Sequence, residues 1–252
     1  MNRIEQLKKL YMESSKHSNY QSLPRNLQQI LPQEQLTTVL RHDEARLEYI
    51  CSHVDVSGKN LLDIGGNTGF FTFETLRTGA RHVDYYEGNK VHAEFVKIAA
   101  EVLACEDQVT VFPEYYMFKQ NGAHYDIIFC LNVVHHLGDD FKRGTDMEAA
   151  KEEMLSCVNN LADISDVMIF QMGFNWCGNK EHCLFKNGTK EEMEEFIQKG
   201  TKGYWKVLKC GIAEQCDGKI QYRDRNESNN MRIDSLGEFL NRPIFIMESE
   251  RS

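Results

Sequence analysis

No run of apolar residues in this 252-residue chain approaches the roughly 18 to 20 consecutive positions that a membrane-spanning helix needs. The opening stretch, "MNRIEQLKKLYMESSKH", is polar and amphipathic and lacks the apolar centre of a secretory signal, so a cytoplasmic location is expected. Basic excess is missing as well. The formal net charge is −9 and the pI about 5.5, which argues against non-specific nucleic-acid binding, because that relies on basic surface to displace counterions. One local concentration stands out: Lys202, Lys206, Lys209, Lys219, Arg223 and Arg225 against Glu214, Asp217 and Asp224. A solvated face is its ordinary reading. The eight cysteines include no CxxC pair, as expected of free thiols in a reducing compartment. "WCGNKEHC" offers Cys177, His182 and Cys183, followed later by Cys210 and Cys216, but without the tight paired spacing of zinc sites, so no metal is expected there. There is no internal repeat and no low-complexity tract.

What is present is an ordinary globular composition, 41% hydrophobic and 27% charged, enough for one large domain with or without an appended helical segment. Residues 3–15 repeat apolar side chains at Ile4, Leu7, Leu10 and Tyr11 with helical spacing. "SKHSNYQSLP" interrupts them, and a second helix is expected from Gln33 to His53. From residue 60 the pattern changes. Short apolar runs at Asn60–Ile64, His82–Glu87, Gln108–Phe112, Asp126–Leu131 and Val167–Met172 alternate with amphipathic stretches at 69–78, 90–104 and 146–162. Such alternation predicts an α/β fold with a mainly parallel sheet covered on both faces by helices. After residue 203, "YWKVLKCGIAEQ", "KIQYRDR" and "RPIFIMES" read as three more strands. The first two have no helix between them, which implies an antiparallel pairing at an edge.

The most informative stretch is "LLDIGGNTGFF", residues 61–71, a strand leading into a glycine turn and a helix. It is not a dinucleotide fingerprint: G-x-G-x-x-G fails from Gly65, where Asn67 and Phe70 intervene, and from Gly66, where Thr68 and Phe71 do. No lysine completes a P-loop. The pattern that fits is D-x-G-x-x-x-G, made of Asp63, Gly65 and Gly69, with Glu87 eighteen residues beyond Gly69 at the end of the second strand. Glycines let backbone approach a ligand, and Asn67 is of a type that tolerates the left-handed region. A carboxylate at the tip of the second strand can accept hydrogen bonds from the two hydroxyls of a ribose.

"LLDIGGNTGFF", "VDYYEGN" and "YDIIFCLNVVHHL" together resemble motifs I, II and IV of the class I S-adenosylmethionine-dependent methyltransferases, over roughly residues 57–172. The resemblance implies a Rossmann-like, seven-stranded, mainly parallel sheet with an antiparallel edge strand. An N-terminal helical lid (1–56) would precede a methyltransferase domain (57–252) with an insertion around 173–202. It also implies S-adenosylmethionine as cofactor, held at Asp63, Gly65, Gly66, Asn67, Gly69 and Glu87, with adenine contacts at Glu114 and Tyr115. Asn67 departs from the family's glycine-rich consensus.

The fourth strand ends in "LNVVHHLGDD", which places Asn132, His135 and His136 at or beside the cofactor cleft. Methyl transfer is an in-line displacement for which the enzyme mainly aligns the reactants, and a hydroxyl acceptor must also lose a proton. A histidine titrating near neutrality suits that task. His135 or His136 is therefore the candidate base, the alternative being that both are structural. A metal at His135, His136, Asp139 and Asp140 is disfavoured, since adjacent histidines rarely converge on one ion. No "NPPY"-type sequence follows the strand, which disfavours base or glutamine N-methylation by the family's route.

Acceptor specificity is expected in the interrupting stretch, through Lys16, His17 and Tyr20, and in the loop after the fifth strand, through Gln171, Asn175 and Trp176. Amides and hydroxyls mixed with aromatic rings suit a sugar, although Trp176 could equally be core packing. Arg41 is a candidate for the cofactor's carboxylate or an anionic acceptor, with a surface ion pair as the default. The expected function is O-methylation of a small sugar-containing acceptor in a surface-polysaccharide or secondary-metabolite pathway, without membrane insertion. The alternatives are a transfer-RNA-modifying methyltransferase and a non-catalytic, cofactor-binding regulatory protein.

Overall fold

The computed structural model describes residues 2–13, 20–31, 41–119, 122–137 and 146–251, and the chain forms two compact units, Met1–Tyr116 and Met117–Ser252. In the first unit the order is α1 (Arg3–Met12), α2 (Arg25–Ile30), α3 (Asp43–His53), β1 (Asn60–Ile64), α4 (Phe70–Arg77), β2 (His82–Tyr86), α5 (Lys90–Val102) and β3 (Val109–Phe112). Its three strands lie in the order β3-β2-β1, all parallel. The register pairs Ile64 with Tyr86 and Tyr86 with Phe112, so the carboxyl ends of the strands are level. The segments that follow these strands therefore emerge side by side.

Local chemistry explains the boundaries. Asn89 caps α5, its side-chain oxygen accepting the Val91 N–H at 2.9 Å. Leu61, Leu62 and Ile64 of β1 and Phe95, Val96 and Ile98 of α5 are core residues, each at most 2% exposed. Helix α1 packs on α5 through the Tyr11 and Phe95 rings, 5.8 Å apart, and an Arg3–Glu101 ion pair at 2.5 Å. Helix α3 starts at Asp43; the proposed helical stretch from Gln33 to Leu40 lies outside the described residues. Helix α2 was not legible in the periodicity, being six residues long.

The second unit contains β4 (Tyr125–Leu131), α6 (Met147–Asn160), β5 (Ser165–Gln171), α7 (Lys190–Gly200), β6 (Trp205–Cys216), β7 (Lys219–Asp224), α8 (Gly237–Leu240) and β8 (Ile244–Ser249). The strand order is β4-β5-β8-β6-β7. β4 and β5 are parallel, and β8 runs antiparallel to both β5 and β6. The expected antiparallel pair is β6 with β7. Asp217 and Gly218 both have positive φ, 50° and 77°, the backbone signature of a two-residue type I′ hairpin turn. Among the described residues the strands number eight rather than the seven that the resemblance implies, and the expected antiparallel edge consists of three consecutive pairings, β5 with β8, β8 with β6 and β6 with β7. Helix α7 opens with a capping box: the Thr189 hydroxyl accepts the Glu192 N–H at 3.2 Å while the Glu192 carboxylate accepts the Thr189 N–H at 3.3 Å. No helix among the described residues is long and apolar enough to cross a membrane.

In the first unit Asp43 and Arg46 form a buried ion pair, their side chains 0% and 4% exposed. Asp43 also accepts the Ser22 N–H at 2.7 Å, and the Arg46 guanidinium lies 4.9 Å from the Phe71 ring centre. Arg46→Met should strand a buried carboxylate and lower unfolding free energy by about 3 to 5 kcal/mol, measurable by urea denaturation; a loss below 1 kcal/mol would contradict that account.

Candidate functional site

The glycine turn is tied down by the strand beside it. The N–H groups of Gly65 and Gly66 donate to the Tyr86 carbonyl at 2.8 and 3.3 Å, and the Tyr85 hydroxyl donates to the Asn67 carbonyl. Gly65, Asn67 and Gly69 have φ of 67°, 51° and 79°, so the turn passes three times through the region that L side chains rarely adopt. At Gly66 the constraint is space instead: a Cβ would meet the Tyr85 ring at 2.5 Å and the Asp63 carboxylate at 2.7 Å. The expectation that Asn67 takes a left-handed conformation agrees with its φ.

Glu87 joins this turn to the second strand. Its Oε2 accepts the Asn67 N–H at 2.9 Å and its Oε1 the Asn89 N–H at 2.7 Å. These two bonds fix the carboxylate beside the backbone of the turn. Asp63 is 4% exposed and accepts the Thr72 hydroxyl at 2.6 Å. Burial pushes its carboxyl up to about 6, opposed by the Thr72 hydrogen bond and reinforced by the Glu87 charge. Asp63, Gly65, Gly66, Asn67, Gly69 and Glu87 thus form one contiguous constellation. Glu114 is exposed. Tyr115, 45% exposed, lays its ring against Gly88, where any Cβ would collide with it.

Lys16 and His17 lie outside the described residues. Tyr20 and Arg41, proposed separately for acceptor and cofactor, stand together, the guanidinium 4.9 Å from the ring centre. The residue that pattern reading missed in this unit is Gln21, 9% exposed. Its Oε1 accepts the Phe70 N–H at 3.1 Å and approaches the Thr68 hydroxyl at 3.5 Å.

In the second unit, Asn132 follows β4 with φ 64°. Its amide donates to Gln171 Oε1 at 2.9 Å, and its carbonyl oxygen accepts from Arg242 Nη1 at 2.7 Å. Gln171 in turn donates to the Arg242 carbonyl at 2.9 Å. Arg242 also pairs with Glu238, Nη2 to Oε2 at 2.5 Å. Burial raises the Glu238 carboxyl, but the Arg242 charge and hydrogen bonds outweigh it and hold the group below its usual range. His135, 1% exposed, accepts the Gly173 N–H on Nδ1 at 3.1 Å. An imidazole accepting there carries its proton on Nε2 when neutral. The His136 ring lies 4.3 Å from that of His135. Trp176 donates its indole N–H to the Leu137 carbonyl at 2.5 Å, joining the loop after β5 to the one after β4, and Asn175 bridges to Cys183. Arg242, Glu238 and Gly173 were missed because nothing local marks them; Gly173 has no room for a Cβ, which would meet His135 Nε2 at 2.9 Å.

The fold is that of the class I S-adenosylmethionine-dependent methyltransferases. The bifunctional kinase-methyltransferase WbdD superposes over 97% of this chain and 46% of its own with a TM-score of 0.61 at 14% identity. Magnesium protoporphyrin IX methyltransferase from Synechocystis PCC 6803, solved with bound S-adenosylmethionine, covers 97% and 89% with a TM-score of 0.51 at 13% identity. In sequence, tRNA U34 carboxymethyltransferase of Campylobacter jejuni is 31% identical over 104 residues, 38% of this chain and 32% of that protein. Its Campylobacter hominis counterpart is 27% identical over 142 residues, 52% of this chain and 42% of that protein. The matched stretches thus span less than half of these curated relatives. No family model matches the chain.

The raised Asp63 carboxyl has a pH signature. A carboxylate raised from 3.8 to about 6 gives stability that is fully present below pH 3.8 and is lost as pH rises through 6. Asp63→Asn keeps an acceptor for Thr72 and removes the titration. The wild-type stability minus that of the variant should therefore fall between pH 4 and 7, by about 1 to 3 kcal/mol, in urea unfolding curves. A difference that is flat with pH would refute the assignment.

Proposed function

We propose that this chain is a cytoplasmic S-adenosylmethionine-dependent methyltransferase whose acceptor is a hydroxyl on a small, sugar-containing molecule. The observation that carries the cofactor reading is the Glu87 carboxylate, which at the end of the second strand is tied to the glycine turn by accepting the Asn67 N–H on one oxygen and the Asn89 N–H on the other. That donor set fits the cofactor: Glu87 would take the ribose hydroxyls, the backbone of 65–69 the methionine portion, and Glu114 and Tyr115 the adenine side. When bound, the sulfonium supplies an electrophilic methyl carbon. The protein's task is alignment and acceptance of the acceptor's proton. His136 is favoured as base over His135, because His135 already commits Nδ1 to Gly173. Lys16, His17, Tyr20, Gln171, Asn175 and Trp176 remain the proposed acceptor contacts, and Asn132 and Arg41 proposed cofactor contacts. WbdD's pairing of kinase and methyltransferase in one protein is fold-level support only.

A second reading, modification of a transfer RNA, rests on the names of the Campylobacter relatives. Against it stands the basic stretch, four of whose six basic side chains meet carboxylates. Lys206 meets Glu248 at 3.6 Å, Lys209 meets Asp224 at 2.5 Å, Arg223 meets Glu214 at 3.8 Å and Arg225 meets Glu194 at 3.2 Å. A face neutralised in this way has little charge with which to displace counterions from a phosphate backbone.

Glu87→Ala should weaken S-adenosylmethionine binding by roughly 1.5 to 3 kcal/mol in calorimetry, the range for hydrogen bonds to a charged group; unchanged affinity would sink the ribose assignment. His136→Ala should abolish turnover while cofactor binding persists, and a variant with normal turnover would remove His136 as base. Reversing Lys206, Lys209 and Arg223 to glutamate separates the two acceptor classes. Methylation of a small acceptor should stay within about twofold, whereas loss of labelled-methyl transfer into transfer RNA would favour the second reading.

A further inference from the structure

Helix α4 begins at Phe70, and the capping position before it is Gly69, which has no side chain with which to cap it. The first N–H groups of any helix need outside acceptors, and here the acceptor for Phe70 comes from 49 residues upstream, from Gln21. The same oxygen reaches the hydroxyl of Thr68, a buried residue of the glycine turn itself. Gln21 is held in place on either side. Its carbonyl accepts the Tyr11 hydroxyl at 3.3 Å, and the next residue, Ser22, donates its N–H to Asp43. Three positions further on, the Arg25 N–H donates to Glu74 Oε1 at 2.7 Å, and Glu74, 1% exposed, is a residue of α4. Residues 21–25 thus form a strap anchored to two buried carboxylates, Asp43 and Glu74, with one side chain turned into the glycine turn.

We infer that Gln21 is a positioning residue for the cofactor: its side-chain oxygen holds Thr68 and Phe70 so that the 65–69 turn keeps its ligand-binding shape. The inference rests on the cofactor reading above. It adds that affinity for the cofactor is set partly by a side chain of the N-terminal segment that does not touch the ligand. By linkage, a ligand that favours the held turn also favours the docked strap, so cofactor binding should protect residues 21–25 from proteolysis.

The test compares wild type, Gln21→Met, which keeps length but has no oxygen, and Gln21→Glu, which keeps the acceptor. Loss of a capping acceptor corresponds to about a five- to tenfold change in an equilibrium constant. Gln21→Met should therefore show a five- to tenfold weaker dissociation constant for S-adenosylmethionine by calorimetry, with Gln21→Glu within about twofold of wild type. The cofactor should slow tryptic cleavage after Arg25 in wild type and Gln21→Glu, and much less in Gln21→Met. A general packing role would leave the Met and Glu variants alike. Equal weakening in both, or none in Gln21→Met, would overturn the inference while the wild-type titration and Glu87→Ala stand. A wild type that binds no S-adenosylmethionine would overturn the cofactor reading and this inference together.

Discussion

A backbone turn that sits three times in the left-handed region is held by bonds from outside itself, and the candidate site depends on that holding. Residues 65–69 have no regular ladder of their own. The Tyr86 carbonyl takes two of their N–H groups, Glu87 takes a third, and Gln21 takes that of Phe70 at the head of α4. Tyr86 and Glu87 are consecutive at the end of β2, brought alongside by the level strand ends, whereas Gln21 comes from the segment before α2. Inside the turn the Gly69 N–H donates to the Gly66 carbonyl at 2.9 Å and the Thr68 N–H to Asn67 Oδ1 at 2.9 Å, and the outside acceptors add to these local bonds the constraint that glycine's conformational freedom lacks. The ligand-binding geometry is therefore a property of strand register and strap docking as much as of the glycines.

The second unit solves a related problem with side chains. Asn132 leaves β4 in a left-handed conformation and is held there by Gln171 and Arg242, while Glu238 neutralises the arginine. Such a network is satisfied only if every member is present, because a half-made buried network costs more than an apolar one. His135 belongs to the same region and is fixed by a backbone N–H rather than by a carboxylate. These contacts hold the described residues that directly follow β4 and β5 in one arrangement.

Some of this was legible in the residues and some was not. Asp63, Gly65, Gly69 and Glu87 could be read because turn geometry restricts residue types locally, and the failure of both phosphate patterns was equally readable. The β6–β7 pairing followed from two apolar runs with no room for a helix between them. The strand count was not recoverable from the resemblance, since the hairpin at Asp217 and Gly218 adds a strand to the implied seven. The basic residues from 202 to 225 form a local concentration in the sequence, but two of their partners, Glu194 and Glu248, lie outside that stretch.

What the sequence by itself determined, then, is what short-range sterics and periodicity control: the alternation of strands and helices, a turn that admits little but glycine and asparagine, and a carboxylate set at the end of the next strand. Tertiary structure decided which distant groups complete those local features. Gln21 meets Phe70 across 49 positions and Arg242 meets Asn132 across 110. A glutamine or an arginine is compatible with almost any exposed loop, so no local rule singles these out. Only folding, by burying N–H and C=O groups that must be paired, selects the side chains that pair them.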